Sequence, residues 1–318
     1  MQFSNQNIPY APTKAFEEKL KTLRYGNYTR ENIYCRDPFV MRYGDKYYFY
    51  VTITSREPKG MMCYVSDDLE NWSDPVVVYT PPENFHGSKQ FFWAPECHYY
   101  NGYFYIFTSV FSSKYNHRTV SVYRADNPLG PFEDIANGAV APTDWDTIDG
   151  TLYIDKQNRP WLVFVHEWTC MPDKNGGMAA ARLAEDFTHL ISEPIQLFLA
   201  KDPSWATCGV TDGPYLIRTN DGVLRMIWSN FSDNGYVVAK AHSDNGEIDG
   251  KWIQDGLLFQ KGLREDFTMD GGHASVFQTK DGKFFMALHA PQSDIKEGDH
   301  EHLLLLPLGE DENGLKVL

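Results

Sequence analysis

A two-strand hairpin that recurs five times constrains this chain more than any other feature. The first hairpin covers residues 37–43 and 46–53 around Gly44-Asp45, and the second covers 96–100 and 103–110 around Asn101-Gly102. The third covers 150–154 and 160–166. The fourth joins 213–219 to 223–229 through Asn220-Asp221-Gly222, and the fifth joins 274–279 to 283–289 through Lys280-Asp281-Gly282. Short aromatic and β-branched runs punctuated by Asn-Gly or Asp-Gly mark tight hairpins, because those residues accept the positive φ that the turn imposes.

A third strand follows each hairpin, at 61–66, 119–125, 178–183, 236–242 and 303–307. Four of the units then carry a short tag in which an acidic residue or glycine precedes an aromatic, as in Gly250-Lys251-Trp252. The anchors Asp37, Glu96, Asp149, Asp212 and His273 are spaced by 59, 53, 63 and 61 positions (differences of residue numbers). Five units of about four short strands at such a period predict an all-β protein, a five-bladed β-propeller. No linker rich in Pro, Ser or Gly interrupts the repeat, so residues 1–318 are expected to form a single catalytic domain, with one short amphipathic helix at 14–23.

Charge narrows the range of partners. Lys plus Arg number 29 and Asp plus Glu number 43, a net charge of −14. Such a surface repels phosphate backbones, and no basic stripe offsets it, so nucleic acid is not expected as a partner. No run of about eighteen apolar residues could span a membrane. The five cysteines, Cys35, Cys63, Cys97, Cys170 and Cys208, are odd in number and form no Cys-x-x-Cys pair. They read as reduced thiols rather than as a disulfide framework or a structural zinc site. Residues 1–14 have no apolar core and do not read as a signal peptide, which predicts a cytoplasmic protein, or a secreted one if a leader has been removed. Aromatic residues reach 15%. Most of them serve strands and core, but aromatic rings are also the faces on which sugars stack.

The inner strand of each propeller blade lines the central channel. All inner strands run the same way, and the antiparallel second strands return to the mouth where the inner ones began. Here the inner strands begin with Arg36-Asp37-Pro38, Trp93-Ala94-Pro95-Glu96, Ile148-Asp149-Gly150, Thr211-Asp212-Gly213-Pro214 and Asp270-Gly271-Gly272-His273. The second strands end in Thr52 to Thr54, Ser109 and Phe111, His166-Glu167-Trp168, Ser229-Asn230, and His289. Asp37, Glu96, Asp149, Asp212 and Glu167 are therefore expected at one mouth. A single such residue often caps a strand by bonding nearby backbone amides; a carboxylate or histidine in all five blades is a pattern. Like charges crowded together raise at least one pKa, and glycoside hydrolysis needs one protonated carboxyl and one ionised.

At these residues the chain resembles glycoside hydrolase family 43, the inverting five-bladed propeller enzymes. The matching pieces are RDPFV (36–40), FWAPE (92–96), IDGTLYID (148–155), DGPYL (212–216) and GGHASVF (271–277), in the family's order and one per blade. The resemblance implies an exo-acting α-L-arabinofuranosidase or β-xylosidase that takes a neutral sugar from plant-type polysaccharide side chains or oligosaccharides. It implies that Asp37 is the base that activates water and that Asp149 tunes and orients the acid. His273 matches the channel histidine that holds a central water or a calcium ion. That ion, held through waters, is the one cofactor the resemblance brings in, and the chemistry requires none. Trp93 and Glu96 match the floor of the sugar pocket.

One departure matters. The family's acid is usually the Glu of a Glu-Gly-Pro motif, and Asp212, one methylene shorter, stands there. Either Asp212 remains the acid, or Glu167 of His166-Glu167-Trp168 supplies the proton from a neighbouring strand; the sequence reading leans to Glu167. Further sugar contacts are expected from Phe92, Phe111, His166, Trp168, Asn230 and His289. Two other functions fit the same fold. A non-catalytic carbohydrate-binding propeller would not need converging carboxylates. A propeller glycoside phosphorylase would need a basic cluster for phosphate, and Arg36 is the one obvious basic residue in the motifs.

Overall fold

A computed structural model describes residues 1–52, 60–291 and 301–318. Five antiparallel sheets form the blades of a propeller ring. Their inner strands are Arg36–Tyr43, Trp93–Tyr100, Thr147–Ile154, Asp212–Arg218 and Gly272–Gln278. Each pairs with a second strand: Lys46–Thr52, Tyr103–Ser112, Pro160–His166, Leu224–Ser232 and Phe284–Pro291. Ile53 and Thr54, expected at the end of the first hairpin, lie outside the described residues. The third strands are Met61–Ser66, His117–Ala125, Gly177–Arg182, Gly235–Ser243 and Glu301–Asp311. A short outer strand completes each blade, and Tyr25–Thr29, from before the first inner strand, adds to the edge of blade 1.

The core lies in the seams between blades. Trp72 packs on Phe49, and Trp228 on Phe198 and Trp205, with both Trp72 and Trp228 fully buried. Strands covered on both faces lose the in–out alternation, which is why Met61–Ser66 is buried throughout. The helix Lys14–Lys21 begins where the Thr13 hydroxyl accepts the Phe16 N–H, and it buries Phe16 against Tyr43 and Tyr48. Blade 5 closes on blade 1 where the Ser275 hydroxyl donates to the Pro38 carbonyl at 3.0 Å. The first residues of the chain cross the far end of the inner strands. Gln2 and Arg218 exchange backbone hydrogen bonds at 2.7 Å, Asn5 donates to the Cys97 carbonyl, and Phe3 packs on Tyr215 and Phe284.

Every inner strand is interrupted at the same place. Its pairing skips between Arg36 and Phe39, Trp93 and Glu96, Ile148 and Thr151, Asp212 and Tyr215, and Gly272 and Ser275. Within each skip one residue has positive φ: Asp37 at 51°, Ala94 at 47°, Asp149 at 53°, Gly213 at 50° and His273 at 51°. These bulges define the true equivalence of the blades and correct the sequence anchors. Ala94 and Gly213, not Glu96 and Asp212, stand where Asp37, Asp149 and His273 stand. Four of the five are not glycine, and a left-handed residue of that kind costs about 1–3 kcal/mol. Bulges gather beside active sites because they re-aim side chains and end regular pairing.

Candidate active site

The bulged strand starts open into a cavity of about 460 Å3. Arg36, Asp37, Asp149, Glu167, Asp212 and His273 form its polar wall, and Phe91, Trp93, Trp168 and Phe231 supply aromatic faces, with Thr52 and Tyr236 between them. Carboxylates from three different blades therefore meet in one hollow, although the residues are far apart in the chain.

Asp37 is held on three sides. Its Oδ2 accepts the Thr52 hydroxyl at 2.7 Å, its Oδ1 lies 3.2 Å from His273 Nδ1, and its own N–H donates to His289 Nδ1 at 3.0 Å. Burial alone would push its pKa up, but His273, the Thr52 hydroxyl and Arg36 outweigh burial and hold the carboxyl below its ordinary value. Asp149 Oδ2 lies 3.7 Å from the same His273 Nδ1, so the two carboxyls share one imidazole. Burial pushes Asp149 well above the usual carboxylate range. Asp37, Glu96 and Glu167 push it further, and the Gly213 N–H, donated to its Oδ2 at 3.1 Å, only partly opposes them. Asp212 accepts the Tyr236 hydroxyl at 2.9 Å. Burial and the charge of Asp149 raise its pKa to about 7.

Glu167 lies at the rim, where it accepts the Thr169 hydroxyl. Near it the Arg118 guanidinium lies 3.0 Å from the centre of the Trp93 ring. Burial lowers the Arg118 pKa to about 10, against the opposing charges of Glu167, Asp149 and Asp146. Arg36 pairs through Nε with Glu301 at 2.8 Å.

Several expected sugar contacts stand elsewhere, and two of them are replaced on the cavity wall by their immediate sequence neighbours. Phe92 is buried in the core against Tyr79 and Tyr123, and its neighbour Phe91 lines the cavity instead. Asn230 is fully buried and donates to the Ala200 carbonyl, while Phe231 takes the place on the wall. Glu96 lies two residues past its bulge, below the cavity, with Oε2 2.9 Å from His98 Nε2. Phe111 is exposed near the end of the second strand of blade 2, outside the cavity lining, and its carbonyl accepts the Ser88 N–H. His166 stacks on Trp145 at 3.9 Å rather than entering the cavity. His289 is fully buried beneath Asp37; because Nδ1 accepts the Asp37 N–H, its ring hydrogen is on Nε2, and burial lowers its pKa to about 3, so it is neutral. Trp93 and Trp168 do line the cavity.

Sequence reasoning missed Thr52, Phe91, Arg118, Phe231 and Tyr236 as site residues. Tyr236 begins a third strand, where a phenol looks like ordinary strand packing. Only the polar ends of the second strands pointed toward Thr52.

Calcium takes six to eight oxygen donors. Around His273 there converge one imidazole and two carboxylates turned toward its Nδ1, and among the described residues no three His, Cys, Asp or Glu are grouped as metal ligands. The residues do not fit an ion held directly by the protein.

Comparison with known proteins bears on this geometry. The family model described as Glycosyl hydrolases family 43 matches residues 32–315. The chain is 27% identical over 289 residues to the extracellular exo-alpha-(1->5)-L-arabinofuranosidase ArbA of Cellvibrio japonicus (strain Ueda107), spanning 80% of this chain and 78% of that protein. Its fold superposes on an endo-arabinase from Bacteroides thetaiotaomicron VPI-5482 with a TM-score of 0.77 at 32% identity, covering 89% of this chain and 97% of the other. An endo-1,4-beta-xylanase from the same organism gives 0.75 at 27% identity, covering 93% and 97%. Among the described residues no helix is long and apolar enough to cross a membrane.

Proposed function

The chain belongs to family 43 of the glycosyl hydrolases, and from that premise we propose that it removes terminal α-L-arabinofuranosyl units with inversion, Asp37 acting as base and Asp212 as acid. It is a glycoside hydrolase acting on sugars. One observation carries the assignment of roles: in one cavity a carboxyl held low, Asp37, lies with a carboxyl pushed up to about 7, Asp212. Pairs of carboxyls whose surroundings drive them apart divide into base and acid.

In this reading Asp37 takes a proton from the attacking water while Asp212 protonates the departing glycosidic oxygen. Water forms the new bond to the anomeric carbon as the bond to the leaving oxygen breaks. Solvent exchange then returns Asp37 to the carboxylate and Asp212 to the acid. Asp149, its carboxyl pushed up by burial, ties itself to the Asp212–Gly213 backbone through the Gly213 N–H.

Asp212 is preferred to Glu167, reversing the leaning from sequence. Glu167 sits at the rim under the Thr169 hydroxyl and near the Arg118 guanidinium, whereas Asp212 lies in the cavity wall, its pKa raised by burial, and accepts the Tyr236 hydroxyl. We assign Glu167 to substrate hydroxyls, with Trp93 and Trp168 as stacking faces. The β-xyloside reading is second, favoured by the xylanase neighbour. A phosphorylase is disfavoured, because of the two arginines at the site Arg36 is paired with Glu301 and Arg118 lies over the Trp93 ring, and no basic cluster faces the cavity among the described residues. The extracellular relative favours secretion over the cytoplasmic expectation, which fractionation of the producing cell would decide.

Leaving-group dependence tests the roles. Asp37→Ala should abolish hydrolysis of aryl arabinofuranosides and arabino-oligosaccharides alike. Asp212→Ala should lose about 100-fold or more on oligosaccharides yet retain most activity on a dinitrophenyl glycoside, which needs no acid. If Glu167→Ala shows that split instead, Glu167 is the acid. If the unaltered protein binds arabinosides and cleaves none, the enzymatic reading fails.

A further inference from the structure

The bulges at the mouth are held by a contact that repeats from blade to blade. Thr52, Ser109, Val165, Ser229 and His289 occupy one equivalent position. Each is the cross-strand partner of the residue just before a bulge, namely Arg36, Trp93, Ile148, Asp212 and Gly272. Four of them reach into the next blade and accept the N–H of its bulge residue. Thr52 Oγ1 takes Ala94 N–H at 2.6 Å and Ser109 Oγ takes Asp149 N–H at 2.9 Å. Ser229 Oγ takes His273 N–H at 2.8 Å, and His289 Nδ1 takes Asp37 N–H at 3.0 Å.

The fifth position breaks the pattern. Val165 is fully buried and offers no acceptor. The bulge N–H of blade 4, on Gly213, goes instead to Asp149 Oδ2 at 3.1 Å. A buried N–H must find a partner, so the missing hydroxyl leaves that duty to the carboxylate. Thr52 is exceptional in the opposite sense. While accepting from Ala94 it donates its own hydrogen to Asp37 Oδ2 at 2.7 Å. A hydroxyl has one hydrogen to give, and here Asp37 receives it.

We propose that this ring position governs the placement of the reacting carboxylates: Thr52 is a positioning residue that aims Asp37 against the backbone of the next blade, and Val165, by lacking an acceptor, commits Asp149 to the Gly213 N–H beside Asp212. The proposal rests on the hydrolase reading above and adds to it the residues that set the geometry. It accounts for a valine at a position otherwise held by hydrogen-bonding side chains, and for a buried carboxylate bonded to the backbone of the blade that carries the acid.

Three near-isosteric variants test it: Thr52→Val, Thr52→Ser and Val165→Thr. Thermal unfolding first establishes that each folds. Carboxyl titrations are followed by 13C NMR with labelled aspartate, and kcat and KM are measured on p-nitrophenyl α-L-arabinofuranoside. Thr52→Val should raise the Asp37 midpoint, move the acidic limb of kcat/KM to higher pH, and lower kcat about 10- to 100-fold, the range set by one hydrogen bond to a charged group. KM should change far less, and Thr52→Ser should restore all three. Val165→Thr should capture the Gly213 N–H, shifting that amide resonance and the Asp149 titration together while kcat falls. An unchanged Asp37 titration in Thr52→Val, or a loss that Thr52→Ser does not restore, overturns the role of Thr52. An unchanged Asp149 titration in Val165→Thr overturns the role of Val165. If no glycoside is turned over by the unaltered protein, the functional reading fails, while the carboxyl titrations still decide this proposal.

Discussion

Asp212 shows how a residue's surroundings become both chemistry and a stability cost. Its carboxyl moves from 3.8 to about 7 on folding. Between those values the folded chain holds a proton that the unfolded chain has released, so the contribution of Asp212 to stability is fully present below 3.8 and is lost as pH rises toward 7. The shift corresponds to up to about 4 kcal/mol, and Asp149 acts in the same direction. Asp37, held low, has the opposite effect, and its contribution is lost as pH falls below 3.8 through its folded value. Chemical denaturation at pH 4, 5.5 and 7 should show unfolding free energy declining across the series, and Asp212→Asn should remove a substantial part of the decline. A flat series would mean that Asp212 ionises in the fold as it does in water. The sequence made these carboxyls legible as a converging set, because propeller geometry places all inner-strand starts at one mouth. It did not settle which carboxyl is the acid, because that depends on burial and on neighbours that meet only in the fold, Tyr236 from the third strand beside Asp212, Thr52 from the second strand beside Asp37, and His273 from another blade.

At the scale of elements, turn chemistry revealed the hairpins and the third strands followed from their apolar runs. The bulges stayed hidden. Nothing about Ala94 announces a φ of 47°, and the pairing skip shows only once both strands are placed. Near the mouth the side chain that faces the cavity is therefore displaced by one residue from the expected position, Phe91 in place of Phe92 and Phe231 in place of Asn230. Gly213 is the bulge residue where glycine is needed on two counts. Its φ is 50°, and a Cβ there would stand 2.9 Å from the His273 ring. Gly213→Ala should therefore lower the free energy of unfolding in urea by about 1–3 kcal/mol and displace His273 from the two carboxylates it bridges. Wild-type stability in that variant would show that the bulge tolerates a side chain.

For the molecule as a whole, the five seams do the work that a single central core does elsewhere, so a site assembled from several blades depends on all of them. Trp228, fully buried in the seam between blades 3 and 4, lies close in sequence to Ser229, which accepts the His273 N–H. Trp228→Ala should cost about 3–5 kcal/mol, with near-UV circular dichroism and activity lost in one transition; a blade that melts alone would contradict a cooperative ring. Far more than on any single contact, the proposed reaction depends on two carboxyls in one cavity differing in protonation. The pH dependence of kcat/KM for release of arabinose from an α-1,5-linked arabino-oligosaccharide tests this most directly. The expected profile is level through mildly acidic pH and falls about tenfold per pH unit above about 7, where Asp212 loses its proton, and Asp212→Glu should move that limb. A profile that stays level well into alkaline pH, or a limb near 7 that persists when Asp212 is replaced by Ala, would contradict it.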